Sequence, residues 1–251
     1  MSDGDLGSFE RIAQYYEALA NAPKRLEREG PFLRDLLSRA PGKRVLDVAC
    51  GTGLHALWFA EQNAEVTAVD LSEGMIAYAR THRAHERIEY QVCDMRKPPH
   101  GTWDLILSLG NSLCLLNAED ELRQVFDSIQ ERLSPGGQFV FQVLNYERKE
   151  ALLPRHRIET AGLPGGQLTA IKNLVPAGNR TLLALAFFVE NASGRFETAT
   201  DTSVLRNWTK DDLLSLALEN ALEPAGLFGR FSGEPFMPDD SPDLIVVLRK
   251  A

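Results

Sequence analysis

The segment Val45-Leu46-Asp47-Val48-Ala49-Cys50-Gly51-Thr52-Gly53 constrains this chain more than any other. A short apolar run, Arg44 to Ala49, enters a glycine-bearing turn, and helical apolar spacing takes over from Gly53 to Asn63. A buried strand feeding a helix through such a turn opens a strand–helix–strand unit. Gly51 and Gly53 give the turn access to positive φ and let a ligand approach the backbone. The helix start presents N–H groups that have no partner within the helix.

The alternation continues on both sides of this unit. Ser8 to Ala20 and Lys24 to Arg39 read as helices, with Pro23, Pro31 and Pro41 as punctuation. Glu65 to Asp70, Ile88 to Cys93, Trp103 to Leu109 and Gln138 to Leu144 read as strands. Ser72 reads as the N-cap of the helix after the second strand, with Glu73 favourable at its positive end. Asn117 to Leu133 is helical and stops at Ser134-Pro135-Gly136-Gly137. This order predicts an α/β fold with a doubly wound, Rossmann-like, mostly parallel seven-stranded sheet. After Asn145 the texture changes to short β-like runs, Leu168–Val175, Arg180–Glu190 and Phe196–Leu205, which predict an antiparallel insertion after the fifth strand. Helical spacing returns at Lys210–Asn220, and strands around Leu222–Gly229 and Leu244–Leu248 finish the sheet. The chain thus divides into an N-terminal helical part (1–41), a core (42–145 and 208–251) and a β-rich insertion (146–207).

Lys plus Arg number 27 against 35 Asp plus Glu, a net charge of −8 over 251 residues. Nucleic-acid affinity rests on clustered cations that neutralise phosphates, so this balance argues against such a partner. No run approaches the roughly 18 apolar residues of a membrane span, and Met1 to Gly7 is polar and acidic, unlike a secretory leader. Three widely spaced cysteines, Cys50, Cys93 and Cys114, read as reduced thiols. A cytoplasmic protein with neither membrane nor nucleic-acid partner is expected. His82 and His85 lack the Cys or carboxylate companions of a metal site, so none is expected. No G-x-S-x-G elbow or Walker lysine points to a hydrolase or NTPase.

Gly51-x-Gly53-x-x-Ala56 also satisfies the dinucleotide pattern, so the glycines alone leave the ligand open. Asp47 discriminates. A carboxylate against the loop repels a pyrophosphate but suits an ammonium or sulfonium group. Asp70 closes the second strand, where a carboxylate accepts ribose hydroxyls, although a plain helix cap uses the same position. Asp94 closes the third, suited to an exocyclic adenine amine, with Leu71, Met75 and Met95 able to sandwich the ring. A cationic amino acid, a ribose and an adenine together describe S-adenosylmethionine.

On these residues the chain resembles class I S-adenosylmethionine-dependent methyltransferases. VLDVACGTG looks like the family's first motif, with Ala49 in place of its first glycine. VTAVDLSEGMIAYAR matches the second strand and its helix, CDM at 93–95 the adenine motif, and LSPGGQFVF the turn before the fifth strand. Leu109-Gly110-Asn111-Ser112-Leu113 and Asn145-Tyr146-Glu147 look like segments of glycine/sarcosine-type N-methyltransferases. Tyr15 to Ala20 resembles the lid helix of small-molecule members. Arg206-Asn207-Trp208 to Gly233-Glu234-Pro235-Phe236 resembles small-substrate and peptide N-terminus methyltransferases.

The resemblance implies a small-molecule acceptor, with nitrogen the favoured atom and S-adenosylhomocysteine as product. It makes residues 1–41 a lid and 146–207 the acceptor-binding insertion. It places Tyr16, Arg25, Asp47, Ala49, Gly51, Gly53, Asp70, Leu71, Met75, Asp94, Met95 and Leu109 around the cofactor, with Tyr16 and Arg25 closing over its methionine end. Tyr16, Asn111, Asn145 and Tyr146 are the expected catalytic residues, acting by orientation rather than proton transfer, because a neutral amine is already nucleophilic. No general base is named. Oligomeric state is left open. Three rivals remain: O-methylation of a small hydroxy or carboxylic acid, a non-catalytic S-adenosylmethionine-binding protein, and a nicotinamide-dependent oxidoreductase, against which Asp47 argues.

Overall fold

Alternating apolar side chains on one buried strand set the layers. In a computed structural model that describes residues 6–163, 166–191 and 193–250, strand β1 (Arg44–Val48) is an interior strand of a seven-stranded sheet. Val45 faces one apolar cluster and Leu46 and Val48 the other, so helices cover both sides. β2 (Glu65–Asp70), β3 (Ile88–Val92), β4 (Trp103–Ser108) and β5 (Leu133–Leu144) join it in parallel. β11 (Asp243–Lys250) runs antiparallel to β5, and β10 (Leu222–Phe228) antiparallel to β11. The order β10-β11-β5-β4-β1-β2-β3 makes β1 and β4 neighbours although β2 and β3 lie between them in sequence. Connections leave those two strands in opposite directions, which opens a crevice beyond their carboxyl ends.

Helices α1 (Leu6–Ala20), α2 (Ala22–Ser38), α3 (Leu54–Glu61), α4 (Glu73–His82), α5 (Glu119–Arg132) and α6 (Lys210–Glu219) complete the chain. Pro31 lies inside α2, within the span read as one helix from Lys24 to Arg39. Gly30 before it has no Cβ to meet the proline ring, which removes the usual clash. Ser72 caps α4 as expected, its hydroxyl accepting from the Met75 N–H. The Ser134–Gly137 stretch is no simple stop. β5 already begins at Leu133, opposite Trp103, and its pairing slips before resuming at Leu105 and Gln138. Gly136, at φ 76°, carries that slip.

The insertion forms a separate antiparallel sheet, β6-β7-β8-β9. Its strands are β6 (Arg155–Leu163), β7 (Gly166–Ala177), β8 (Arg180–Asn191) and β9 (Phe196–Arg206). The sequence pattern indicates only the last three; β6 (RHRIETAGL) is a largely exposed edge strand without apolar alternation. The inner face has its own apolar cluster, Leu168, Ala170, Leu185, Phe187 and Val189, against which α1 lays Tyr15, Tyr16 and Leu19. Among the described residues, no helix is long and apolar enough to cross a membrane. Met1 to Asp5, within the segment read as unlike a leader, lie outside the described residues.

Candidate active site

The tips of β1 and β2 are stitched together by Asp70. Its Oδ2 accepts the Gly51 N–H at 2.8 Å and its Oδ1 the Ser72 N–H at 2.9 Å. The loop takes left-handed φ values of 57° at Ala49, 56° at Gly51 and 80° at Gly53. Ala49 holds that conformation at a cost of about 1–2 kcal/mol, because its Cβ crowds the backbone. The glycines serve different ends. A Cβ on Gly53 would sit 2.6 Å from the Tyr90 hydroxyl, whereas one on Gly51 would meet nothing within 4 Å.

A cavity of about 530 Å³ opens beyond these tips. Asp47, Ala49 and Gly51 line it from the first loop, and Asp70, Leu71 and Met75 from the second strand and helix. Asp94, Met95 and Leu109 line it from the third and fourth strand ends, and Tyr16 and Arg25 from the N-terminal helices. Of the residues expected around a cofactor, Gly53 is not on this wall; it packs against Tyr90.

Asp47 dominates the electrostatics. It is 2% exposed, and its Oδ2 has no hydrogen-bond partner. Burial pushes its pKa up to about 7; Arg25 opposes the rise and Asp70 adds to it. Arg25 is held by Glu29, with Nε 3.1 and 3.2 Å from the two carboxylate oxygens. Burial alone would raise the Glu29 pKa, but His55, Arg25 and Arg28 outweigh it and bring it to about 2. Burial lowers the His55 pKa, so neutral His55 donates from Nε2 to Glu29 at 2.8 Å. Asp70 is raised by burial, against the pull of its backbone donors.

Two features escape sequence reasoning. Arg96 covers both oxygens of Asp94, with Nε at 3.0 and 2.9 Å, and also reaches Glu121 at 2.8 Å. The carboxylate expected to meet adenine is therefore already paired, and hydrogen bonding to Arg96 lowers its pKa. The second is a clamp from α1. Thr52 donates to Glu17 at 2.9 Å, Arg83 pairs with the same carboxylate, and Arg83 donates to the Thr52 carbonyl at 2.7 Å. Only the arginine two places after a strand-end aspartate offered a local signal; the clamp joins three distant segments.

A second cavity of about 560 Å³ adjoins the first and shares Tyr16, Ala20, Arg25, Gly110, Ser112 and Leu115 with it. Its far wall is the inner face of the four-stranded sheet. Asn111 lines this cavity, but its amide is committed: Oδ1 accepts the Leu144 N–H at 2.8 Å and Nδ2 donates to the Tyr146 hydroxyl at 2.9 Å. Tyr146 is buried and borders neither of these two cavities, and burial raises its phenol pKa. Asn145 borders neither; it donates to the Pro238 and Ser241 carbonyls, both at 2.8 Å, and accepts the Glu147 N–H at 3.0 Å. Of the residues expected to orient an acceptor, Tyr16 and Asn111 thus reach the cavities, and Asn145 and Tyr146 hold the strand end in shape. Lys172 and Asp201 also line this cavity, and nothing local in the sequence marks them.

Residues 45–137 match a family model described as a methyltransferase domain. Rabbit (Oryctolagus cuniculus) glycine N-methyltransferase is 30% identical over 179 residues, covering 64% of this chain and 57% of the relative. The glycine/sarcosine N-methyltransferase of Parasynechococcus marenigrum (strain WH8102) is 31% identical over 144 residues, covering 55% of this chain and 51% of the relative. The chain thus spans about half the length of these curated relatives. In fold, the crystal structure of an S-adenosylmethionine-dependent methyltransferase from Clostridium acetobutylicum ATCC 824 superimposes with a TM-score of 0.79 at 18% identity, covering 96% of this chain and 98% of that one.

Proposed function

We propose that this chain, a class I S-adenosylmethionine-dependent methyltransferase by its domain and fold, transfers a methyl group to the nitrogen of a small-molecule amine. The observation that carries the donor half is Asp47: a buried carboxyl with an unpartnered oxygen at the cavity wall, beside a Gly51 whose missing Cβ leaves open space. That pair fits a cationic ligand brought close to backbone. The amine half is supported by the two relatives, both named as N-methyltransferases, and by a second cavity of small-molecule size.

When bound, S-adenosylmethionine supplies an electrophilic methyl on a sulfonium, open to in-line displacement. The chain's own part is to bind, align and keep water out. Asp47 meets the cationic amino-acid end. Asp70 keeps lone pairs for ribose hydroxyls beside the two it gives to backbone. Leu71, Met75 and Met95 flank the adenine, with Asp94 and Arg96 at its edge. Arg25, steadied by Glu29, faces the carboxylate end through its remaining N–H groups. The helices within 1–41 form the lid, fastened by the Glu17–Thr52–Arg83 clamp, and the strands within 146–207 supply the acceptor wall.

Asp70→Ala is expected to weaken S-adenosylmethionine binding more than tenfold, because each lost charge-assisted hydrogen bond costs about 1.5–3 kcal/mol. Calorimetry returning an unchanged affinity rejects the ribose assignment. Labelled S-adenosylmethionine offered with panels of amines and hydroxy acids tests the acceptor atom; transfer confined to oxygen rejects nitrogen.

A further inference from the structure

We propose that Asp201 is the acceptor-binding carboxylate of the second cavity, receiving a cationic primary or secondary amine at its free Oδ1. This rests on the proposed function and names the class of acceptor that the second cavity takes.

The geometry begins with sheet register. Lys172 on β7, Leu185 on β8 and Asp201 on β9 are directly paired in one row. Directly opposed residues in an antiparallel sheet share a face, so a cation and an anion flank Leu185 on the cavity wall. Two strand spacings separate them by roughly 10 Å. Asp201 Oδ2 accepts the Tyr16 hydroxyl at 2.9 Å. Tyr16 borders both cavities and is held edge-on against Phe187, ring centroids 5.7 Å apart. Among the described residues, no donor reaches Oδ1.

The other carboxylates on this wall are engaged differently. Glu29 is held by Arg25, Arg28 and His55. Glu159 pairs with Arg157 at 2.6 Å. Asp243 accepts from Gln142, which does not border the first cavity. Among the described residues neither Asp201 nor Asp243 has an ion-pair partner, and of these two only Asp201 is bonded to a residue of the wall shared by both cavities.

Tyr16 stays a donor to Asp201, because burial and the adjoining carboxylate raise its phenol pKa.

The probes are benzylammonium and its neutral isostere benzyl alcohol, titrated by NMR into wild type, Asp201→Asn and Asp201→Glu, with and without S-adenosylhomocysteine. Wild type should bind benzylammonium at least tenfold more tightly than the alcohol. Asp201→Asn, whose amide oxygen still accepts from Tyr16, should lose that preference, and Asp201→Glu should recover part of it. Melting temperature and S-adenosylhomocysteine affinity should be unchanged in Asp201→Asn. A preference that persists in Asp201→Asn, or no preference in wild type, overturns the assignment. Failure of wild type to bind S-adenosylhomocysteine while still preferring benzylammonium overturns the donor reading instead.

Discussion

Asp47→Asn is expected to make the ligand-free protein more stable at pH 8 and at least tenfold weaker for S-adenosylhomocysteine. Both effects follow from a carboxyl that is 2% exposed with an unpartnered oxygen. Its pKa in the folded chain is about 7, against 3.8 when unburied. Below pH 4 it is protonated in both states and costs nothing. Between the two values the unfolded chain releases its proton first, so stability falls as pH rises and the loss is complete above about pH 7. The difference corresponds to about 4 kcal/mol at most. An unpartnered amide gives back about 1–3 kcal/mol of that, leaving a net gain on the order of 1–3 kcal/mol, or several degrees of melting temperature. Denaturant melts of both proteins from pH 4.5 to 8 read this directly: the variant should lose most of the wild-type decline. The affinity falls because an amide cannot supply the charge that meets an ammonium, and equal affinities would remove Asp47 from the donor site. Ligand binding at pH 6.5 should also release protons in wild type and not in the variant.

Gly53→Ala is expected to cost about 3 kcal/mol of stability, while Gly51→Ala leaves the fold nearly intact and impairs the ligand. The first places a methyl 2.6 Å from the Tyr90 hydroxyl. Tyr90 is buried and donates to the Arg83 carbonyl at 3.0 Å, so it cannot swing aside. Overpacking costs about 1–3 kcal/mol, and a left-handed alanine about 1–2 kcal/mol. Gly51→Ala bears only the second cost, since nothing lies within 4 Å, but its methyl enters the cavity. Urea denaturation and S-adenosylhomocysteine titration separate them. A Gly53→Ala protein as stable as wild type would refute the packing account.

The parallel sheet and first cavity were readable because their signals are local. The first three strands each have an aspartate at or near the carboxyl end, Asp47, Asp70 and Asp94, and the turns after the first two carry their own glycines or cap, as at Ser72. What was not readable depends on direction or distance. Asn145 and Tyr146 stand at a strand end, where a side chain can point into a cavity or back into the packing; here both point back, and one-dimensional position does not distinguish the two. Strand β6 was missed because an exposed edge needs no apolar alternation. Asp201 meets Tyr16 only because a four-stranded sheet folds under α1, a contact between residues far apart in the chain.

The four-stranded sheet keeps an apolar cluster on its inner face and joins one of the seven-stranded sheet's two clusters through Leu174, Leu183 and Leu205. Changes at other inward positions of β7, β8 and β9 can therefore remodel one chamber while the loops at the strand tips keep their packing. A scaffold divided in this way can exchange its clientele by editing a few inward positions, such as 172, 185 and 201, without renegotiating its stability elsewhere.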